Sequence, residues 1–207
     1  MRVKIFCAIC LFVIGALGVS LAPAVPPQED EKEKQPKSQK FGALAYMPSG
    51  AGPAMVGAGA KANIDIYVKS YTNDAEAKAM AAALIEGGPD ALLKQLEKAK
   101  SIGKITLTGR VGFYDLKLIR SHKIEGGRRI YAVGDRPVGF LEAYVNNRSR
   151  DYPFGILQLD LKTNSKGKEE GEGALIYAAK IKVLKNNTID VESYGIDPIR
   201  LLGVRKL

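Results

Sequence analysis

Apolar and polar side chains alternate with a period of two over most of the chain downstream of Lys104, and this pattern constrains the fold more than any other feature. Successive side chains of a β-strand point to opposite faces of a sheet, so the alternation predicts strands with one buried face. Turn residues separate the segments at Gly126-Gly127, Asp135-Arg136-Pro137, 164–173 and Asn186-Asn187. The candidate strands are Lys104–Leu107, Asp115–Ile124, Arg129–Val133, Val138–Tyr144, Gly155–Thr163, Ala174–Leu184, Thr188–Tyr194 and Ile199–Val204.

The hairpin around Asn186 allows a strand register to be predicted. The apolar faces of its strands coincide only if Val183 lies opposite Ile189 and Ile181 opposite Val191. This register requires an odd loop, 185–187, because a two-residue turn would slip the pairing by one and place a carboxylate in the core.

The same register predicts two ion pairs on the solvent-facing side of this hairpin. Lys182 would lie beside Asp190, and Lys180 beside Glu192. Opposite charges directly across two strands stabilise their pairing. These four residues therefore have an expected structural role that requires no ligand.

Helical periodicity precedes these strands. Asn73 and Glu76 have capping-box spacing, and apolar residues follow at intervals of three and four. Gly87-Gly88 is expected to end this helix, Pro89 to begin a second one, and Gly103 to follow its last turn. We therefore predict a two-helix hairpin joined by the glycines.

Together these elements predict an α+β fold in a single domain, 60–207. Its first strand is expected at Ile64–Val68, where apolar residues alternate with polar ones. The sheet is predicted to be mainly antiparallel and curled into a partial barrel or sandwich, with the helical hairpin packed on one face. A parallel α/β fold is disfavoured because helices do not alternate with the later strands.

The N-terminal residues, 1–24, have the pattern of a secretory signal peptide. Two basic residues precede an uncharged apolar run, and Ala22-Pro23-Ala24 offers small residues for cleavage. The run is shorter than the roughly 20 residues of a membrane-spanning helix. Because Cys7 and Cys10 both lie in this segment, cleavage would leave no cysteine. The sequence thus predicts an exported protein, periplasmic or extracellular, with an uncleaved anchor as the alternative.

Residues 25–59 are predicted to form a flexible spacer. The part from Val25 to Lys40 has almost no apolar side chains and cannot bury enough surface to offset the entropy of ordering. The following glycine- and alanine-rich stretch lacks the G-K-[ST] ending of a phosphate-binding loop.

Positive charge is the main clue to a partner. The chain has 31 basic and 22 acidic residues, a formal net charge of +9, which favours association with an anionic envelope polymer or a small anion. Nucleic acid is not expected, since no arginine-rich helix or zinc-finger spacing is found. Guanidinium groups suit carboxylate, sulfate or phosphate, so the arginines form either an anion-binding rim or the solvated ends of strands. The predicted ligand-binding residues are Arg120, Arg128, Arg136, Tyr144 and Arg148, with Arg129 and Arg150 nearby in the sequence.

His122 is the single histidine and the first candidate for a general base. It lies on the strand face predicted for Leu116, Leu118 and Ile124, where an ordinary half-buried histidine is the alternative interpretation. No serine-hydrolase, zinc-protease or nucleotide-binding motif is present. A metal site would need carboxylates, and no ligand spacing supports one. The carboxylates near His122 in sequence are Asp115, Glu125, Asp135 and Glu142.

Four stretches of the chain carry a resemblance: GGPDALLKQLEKAKSIGKITLTG, GGRRIYAVGDRPVGFLEAY, RDYPFGILQLDLKTNSKGKEEGEG and YGIDPIRLLGVRKL. They cover most of Gly87–Leu207 and resemble a family of uncharacterised exported bacterial proteins. The resemblance implies export and one domain, and it carries over no functional residues.

These observations predict a non-catalytic binding or structural module of the cell envelope that engages an anionic partner, without metal or cofactor. The first alternative is a small-ligand carrier that uses the concave side of the sheet and needs an apolar cavity of roughly 300 Å³ or more. The second is a hydrolase that uses His122 with a nearby carboxylate.

Overall fold

A computed structural model of the chain describes residues 38–48, 59–138, 151–184, 188–194 and 197–207. The predicted signal peptide and most of the predicted spacer lie outside these residues, as do Tyr144 and Arg148. The described residues form ten strands and one helix. In chain order these elements are β1 (Gln39–Tyr46), β2 (Lys61–Val68), α1 (Asp74–Lys98), β3 (Gly103–Leu107), β4 (Tyr114–Leu116), β5 (Leu118–Ile124), β6 (Gly127–Gly134), β7 (Phe154–Thr163), β8 (Glu169–Val183), β9 (Ile189–Ser193) and β10 (Ile199–Lys206).

The strands pair antiparallel in one sheet of order β4-β3-β2-β1-β10-β8-β7-β6-β5, with β9 added to β8. The two outermost strands, β4 and β5, are consecutive in the chain and are separated only by Lys117. The Lys117 N–H donates to the Val133 carbonyl of β6 at 2.9 Å, while β4 pairs with β3. The sheet therefore curls into a nearly closed barrel, which confirms the predicted antiparallel curled sheet.

A row of apolar side chains crosses five strands and shows how the alternation fills the barrel. Ile119, Ala132, Leu157, Leu175 and Ile199 lie opposite one another in successive strand pairs. All five are buried in the same core cluster. Because every second residue of each strand points inward, the predicted sorting of apolar from charged residues is realised in this wall of the barrel.

The next row points outward and is covered by α1. Leu118, Val133, Ile156 and Ile176 lie opposite one another across β5 to β8. Leu118, Val133 and Ile176 belong to a second core cluster, which also contains the buried helix residues, and Ile156 packs against it. The buried residues of α1 are Met80, Leu84, Leu92 and Leu96. The helix thus packs on the outer face of the barrel and buries an apolar surface that would otherwise face water.

The predicted two-helix hairpin is wrong, since a single helix runs from Asp74 to Lys98 with a kink at Gly88. Gly88 has φ 72° and ψ −170°, and Pro89 follows within the helix. One left-handed residue redirects the axis but provides no loop for the chain to reverse. Leu84 before the kink and Leu92 after it pack into the same cluster. The N-cap prediction is confirmed, because Asn73 Oδ1 accepts from the Glu76 N–H at 2.9 Å.

The ordered sheet begins earlier in the chain than the sequence predicts. β1, Gln39–Tyr46, lies within the predicted spacer and before the predicted domain start, yet it pairs with both β2 and β10. Phe41 and Ala43 point into the core. The strand is rich in small residues and is stabilised by pairing on both edges, so its own apolar pattern is weak.

The predicted register of the β8–β9 hairpin is confirmed. Val183 lies opposite Ile189 and Ile181 opposite Val191. The Leu184 N–H donates to the Thr188 carbonyl at 2.9 Å, and the intervening loop, 185–187, is outside the described residues.

The predicted apolar face of β8 is split by an irregularity in its pairing with β7. The register shifts between Phe154 and Ile156 of β7. As a result, Leu175 and Tyr177 point into the barrel, whereas Ala179, Ile181 and Val183 lie on the outer face and belong to or pack against the cluster that contains the buried residues of α1. A β-bulge of this kind moves a strand from one face to the other.

Candidate functional site

The predicted arginine rim is not a single site in the described part of the chain. Arg128 is the second residue of β6 and Arg136 follows the end of that strand, so they lie roughly 26 Å apart along the chain at about 3.3 Å per residue. Arg120 lies on β5, on the outer side of the barrel. Tyr144 and Arg148 lie outside the described residues.

Arg128 points into one mouth of the barrel, because it shares the inward parity of Ile130. Its Nε and Nη2 atoms donate to the two carboxylate oxygens of Glu169 at 2.6 and 2.8 Å. Nη1 donates to Tyr71 Oη, and Nη2 to Gln39 Oε1, both at 3.0 Å. The Tyr71 hydroxyl also donates to Gln39, at 2.9 Å. These residues join β1, the approach to α1, β6 and β8.

The pKa shifts of Glu169 and Tyr71 indicate that the hydrogen-bonded network around Arg128 has a structural role. Burial raises the pKa of Glu169, but the hydrogen bonds and charge of Arg128 and the ammonium of Lys206 outweigh it, and the pKa is lowered. Burial raises the pKa of Tyr71 despite the nearby Arg128 charge. All three nitrogens of the guanidinium already donate to protein atoms. Arg128 and its partners Glu169, Tyr71 and Gln39 therefore lie across this mouth of the barrel, and we call these four residues the Arg128 plug.

Arg120 holds the start of α1 against the barrel. Its Nη2 lies 2.7 Å from Asp74 Oδ1, and its Nη1 donates to the Thr72 carbonyl at 2.9 Å. Thr72 is buried, and its hydroxyl accepts from the Ile119 N–H at 2.9 Å. The guanidinium therefore serves the junction between strand and helix.

Arg136 lies at the other end of the barrel from Arg128. Its carbonyl accepts the hydrogen bond of the Tyr114 hydroxyl, which is buried between Gly134 and Gly155. Burial raises the pKa of Tyr114 well above its usual range. The Arg136 guanidinium is half exposed and lies 3.9 Å from Asp115 Oδ2.

His122 lies on the outer face of β5 among cations. It is opposite Arg129, whose guanidinium binds both oxygens of Asp160 at 2.5 and 2.8 Å. Its ring meets Tyr131 edge-on, with centroids 6.0 Å apart. Burial, followed by the charge of Arg120, lowers the pKa of His122.

A base of the hydrolase type needs a carboxylate to orient its imidazole, and the described residues around His122 do not supply one. The buried Nε2 atom of His122 has no hydrogen-bond partner among them. Leu116, predicted to share its face, points into the barrel instead, because the chain bends at Lys117. Across the described ranges, no group of three or more His, Cys, Asp or Glu residues is placed to hold a metal ion.

A surface of lysine and aromatic side chains, which no local sequence pattern marks, lies on the outer face of β1, β2 and β3. Lys40, Tyr67 and Lys104 lie opposite one another on these three strands. The Lys40 Nζ atom is 5.2 Å and the Lys104 Nζ atom 5.0 Å from the Tyr67 ring centroid. Two ammonium groups therefore flank one tyrosine ring in a row across the sheet.

Further cations and aromatic rings extend this row toward one end of the barrel. Lys104 Nζ also lies 5.6 Å from the Phe113 ring, and Lys61 Nζ lies 5.9 Å from the Tyr46 ring. We call Lys40, Lys61, Tyr67, Lys104 and Phe113 the cationic–aromatic face. Its pattern is visible in sequence only as outward strand positions, because the register of three strands is needed to bring the residues together.

Two acidic residues, Asp65 and Asp115, lie on this side of the sheet. Asp65 lies 3.3 Å from Lys40. The Tyr67 hydroxyl has the largest effect on the pKa of Lys40 and raises it; burial opposes this rise, and Asp65 adds to it. Asp115 lies opposite Lys104 in the pairing but accepts from Ser101 Oγ at 2.5 Å. Further exposed cations lie on or beside these strands and β10, among them Lys69, Arg110, Arg200 and Arg205.

Comparisons of the chain with protein-family models, with curated proteins and with solved structures give no match. The resemblance to exported bacterial proteins therefore stays a prediction. Among the described residues, no helix combines the length and the apolar character that crossing a membrane requires.

Proposed function

We propose that the chain is a non-catalytic binding module of the cell envelope that engages an anionic partner through its cationic–aromatic face. The observation that carries this proposal is the row Lys40–Tyr67–Lys104, in which two lysines flank a tyrosine on the outside of the sheet. We favour this surface over the predicted arginine rim because, among the described residues, Arg120 and Arg128 pair with carboxylates, whereas Lys61 and Lys104 pair with none.

The geometry of the row suits a partner with repeated negative charges. Neighbouring strands are roughly 4.8 Å apart, so Lys40 on β1 and Lys104 on β3 emerge roughly 10 Å from each other. The tyrosine ring between them restrains both ammonium groups by cation–π contact. An ammonium group has three donors, so Lys40, which lies 3.3 Å from Asp65, and Lys104 can each still donate to a carboxylate, sulfate or phosphate group.

The described residues give less support to the other two functions. The barrel interior is occupied by buried apolar side chains, among them Phe41, Leu159 and Leu201, and the Arg128 network lies across one mouth. His122 lacks the carboxylate partner that a hydrolase needs in the part of the chain that the structure describes.

Binding of the full chain to fluorescently labelled polyglutamate tests the proposal. The double variant Lys61→Glu/Lys104→Glu should weaken binding at least about tenfold at low salt, because two cations of the face become anions. The matched control is Lys78→Glu/Lys94→Glu, which makes the same charge change on the exposed side of α1. Equal loss in both variants would show that net charge, and not this face, determines binding.

A further inference from the structure

The loop between β3 and β4 exposes apolar side chains at the end of the cationic–aromatic face. Val111 is fully exposed and Phe113 is 57 % exposed, the two being separated by Gly112. Gly109 and Gly112 have φ of 75° and 113°, conformations that favour glycine. A Cβ atom built at either glycine would meet no other atom of the described chain within 4 Å. The tip of this loop therefore projects from the described barrel.

Three cations lie in or near this projecting loop. Arg110 is exposed beside Val111, and Lys104 lies 5.6 Å from the Phe113 ring. The base of the loop is fixed to β2, because the Thr108 N–H donates to the Asn63 carbonyl at 2.9 Å. Lys61, which is exposed, is two residues from that contact. Lys61 and Arg110 thus reach solvent at the same end of the barrel as the tip, while Lys104 lies further along β3 and its ammonium group is near the Phe113 ring.

We infer that the anionic partner is a lipid surface, into which Val111 and Phe113 insert while Lys61, Lys104 and Arg110 contact the headgroups. This inference rests on the proposed function and names the partner of the same face. A soluble polyanion would be recognised by the cations alone and would leave the valine and phenylalanine in water. An anionic lipid surface offers both a negative headgroup layer and an apolar layer below it.

The sequence contains no tryptophan, so the fluorescence of a tryptophan introduced at one position reports on that position alone. The variant Phe113→Trp carries a single tryptophan at the tip. The matched control is Ile85→Trp, which places a single tryptophan at an exposed position of α1, on another side of the barrel. Because the signal comes from one residue, contact of any other segment with lipid does not imitate it.

Each variant is mixed with vesicles of equal parts phosphatidylglycerol and phosphatidylcholine, and with phosphatidylcholine vesicles alone. We expect the emission of Phe113→Trp to shift to shorter wavelength, and brominated acyl chains to quench it, only with the anionic vesicles. Ile85→Trp should show neither change. Adding Lys61→Glu and Lys104→Glu to Phe113→Trp should weaken the vesicle response at least about tenfold.

Unchanged emission of Phe113→Trp with anionic vesicles would overturn the lipid inference. If the same protein then still bound polyglutamate through Lys61 and Lys104, the proposed function would stand with a soluble anionic partner. If it bound neither probe, both proposals would fail. Equal emission shifts in Phe113→Trp and Ile85→Trp would also overturn the inference, because the tip would then have no special role.

Discussion

The Arg128 plug yields a prediction that compares two neighbouring arginines. Arg128 and Arg129 each form a two-pronged ion pair, with Glu169 and Asp160 respectively. Arg128 points into the barrel mouth, with side-chain exposures of 17 % and 20 % for the pair, whereas the Arg129 pair lies outside at 32 % and 35 %. Replacement of each arginine by methionine keeps most of the aliphatic stem and removes the charge.

The magnitude follows from what each substitution leaves behind. Arg128→Met leaves the Glu169 carboxylate with only Lys206, at 3.6 Å, and removes the donors to Gln39 and Tyr71. Removing one partner of a fully buried pair costs about 3–5 kcal/mol, and the remaining exposure reduces this to about 2–3 kcal/mol. Arg129→Met should cost about 1 kcal/mol or less, because exposed pairs contribute little.

Urea unfolding of the full chain, followed by circular dichroism, measures both losses. We expect the free energy of unfolding to fall clearly more for Arg128→Met than for Arg129→Met. A low pH should reduce the difference, because the pKa of Glu169 is lowered in the folded state and the stability it confers is lost as pH falls through that pKa. Equal losses at neutral pH would refute the idea that the plug stabilises the barrel.

Three further substitutions test other parts of the structure. Gly134→Ala would place a Cβ atom 2.0 Å from Tyr114 Oη and should cost about 2–3 kcal/mol in urea unfolding, with a smaller cost in a Tyr114→Leu background; equal costs would contradict the packing. Burial, followed by the charge of Arg120, lowers the pKa of His122 in the folded state. The unfolded chain therefore binds a proton at His122 more readily than the folded chain, and the free energy of unfolding falls as pH drops below about 6.5. His122→Gln should therefore flatten the stability profile between neutral and mildly acidic pH, and an unchanged slope would show that His122 does not titrate differently on folding. Gly88→Ala should cost about 1–3 kcal/mol in thermal unfolding, because alanine is strained at φ 72° and ψ −170°; an unchanged melting temperature would argue against the kink.

Local patterns predicted much of the sheet, since strand formation depends on alternation that each segment carries itself. The β8–β9 register was predictable because only one pairing of Ile181 and Val183 with the next strand keeps carboxylates out of the core. The shift within β8 was not, because Ala178 and Ala179 are both apolar and leave the change of face unmarked. The Gly87-Gly88 pair is typical of a helix end, but the helix continues past it because Leu84 and Leu92 pack into the same cluster.

The residues of the candidate site were harder to predict than the strands. Alternation places Arg128 on the same face as Ile130 and so predicts that its side chain points inward. It does not predict the partner Glu169, which is 41 positions away in the sequence. The cationic–aromatic face needs the pairing of β1 with β2, and β1 lies where the composition predicts a spacer. Contacts between distant segments depend on topology, which no local pattern records.

Chemical-shift mapping of the isotopically labelled chain during titration with polyglutamate tests whether the cationic–aromatic face binds the anionic partner. Binding by this face predicts that the amide signals of Lys40, Tyr67 and Lys104 move together, and that they return toward their free positions as salt is added. Shifts concentrated around Arg120 and His122, with those three signals unmoved, would contradict it.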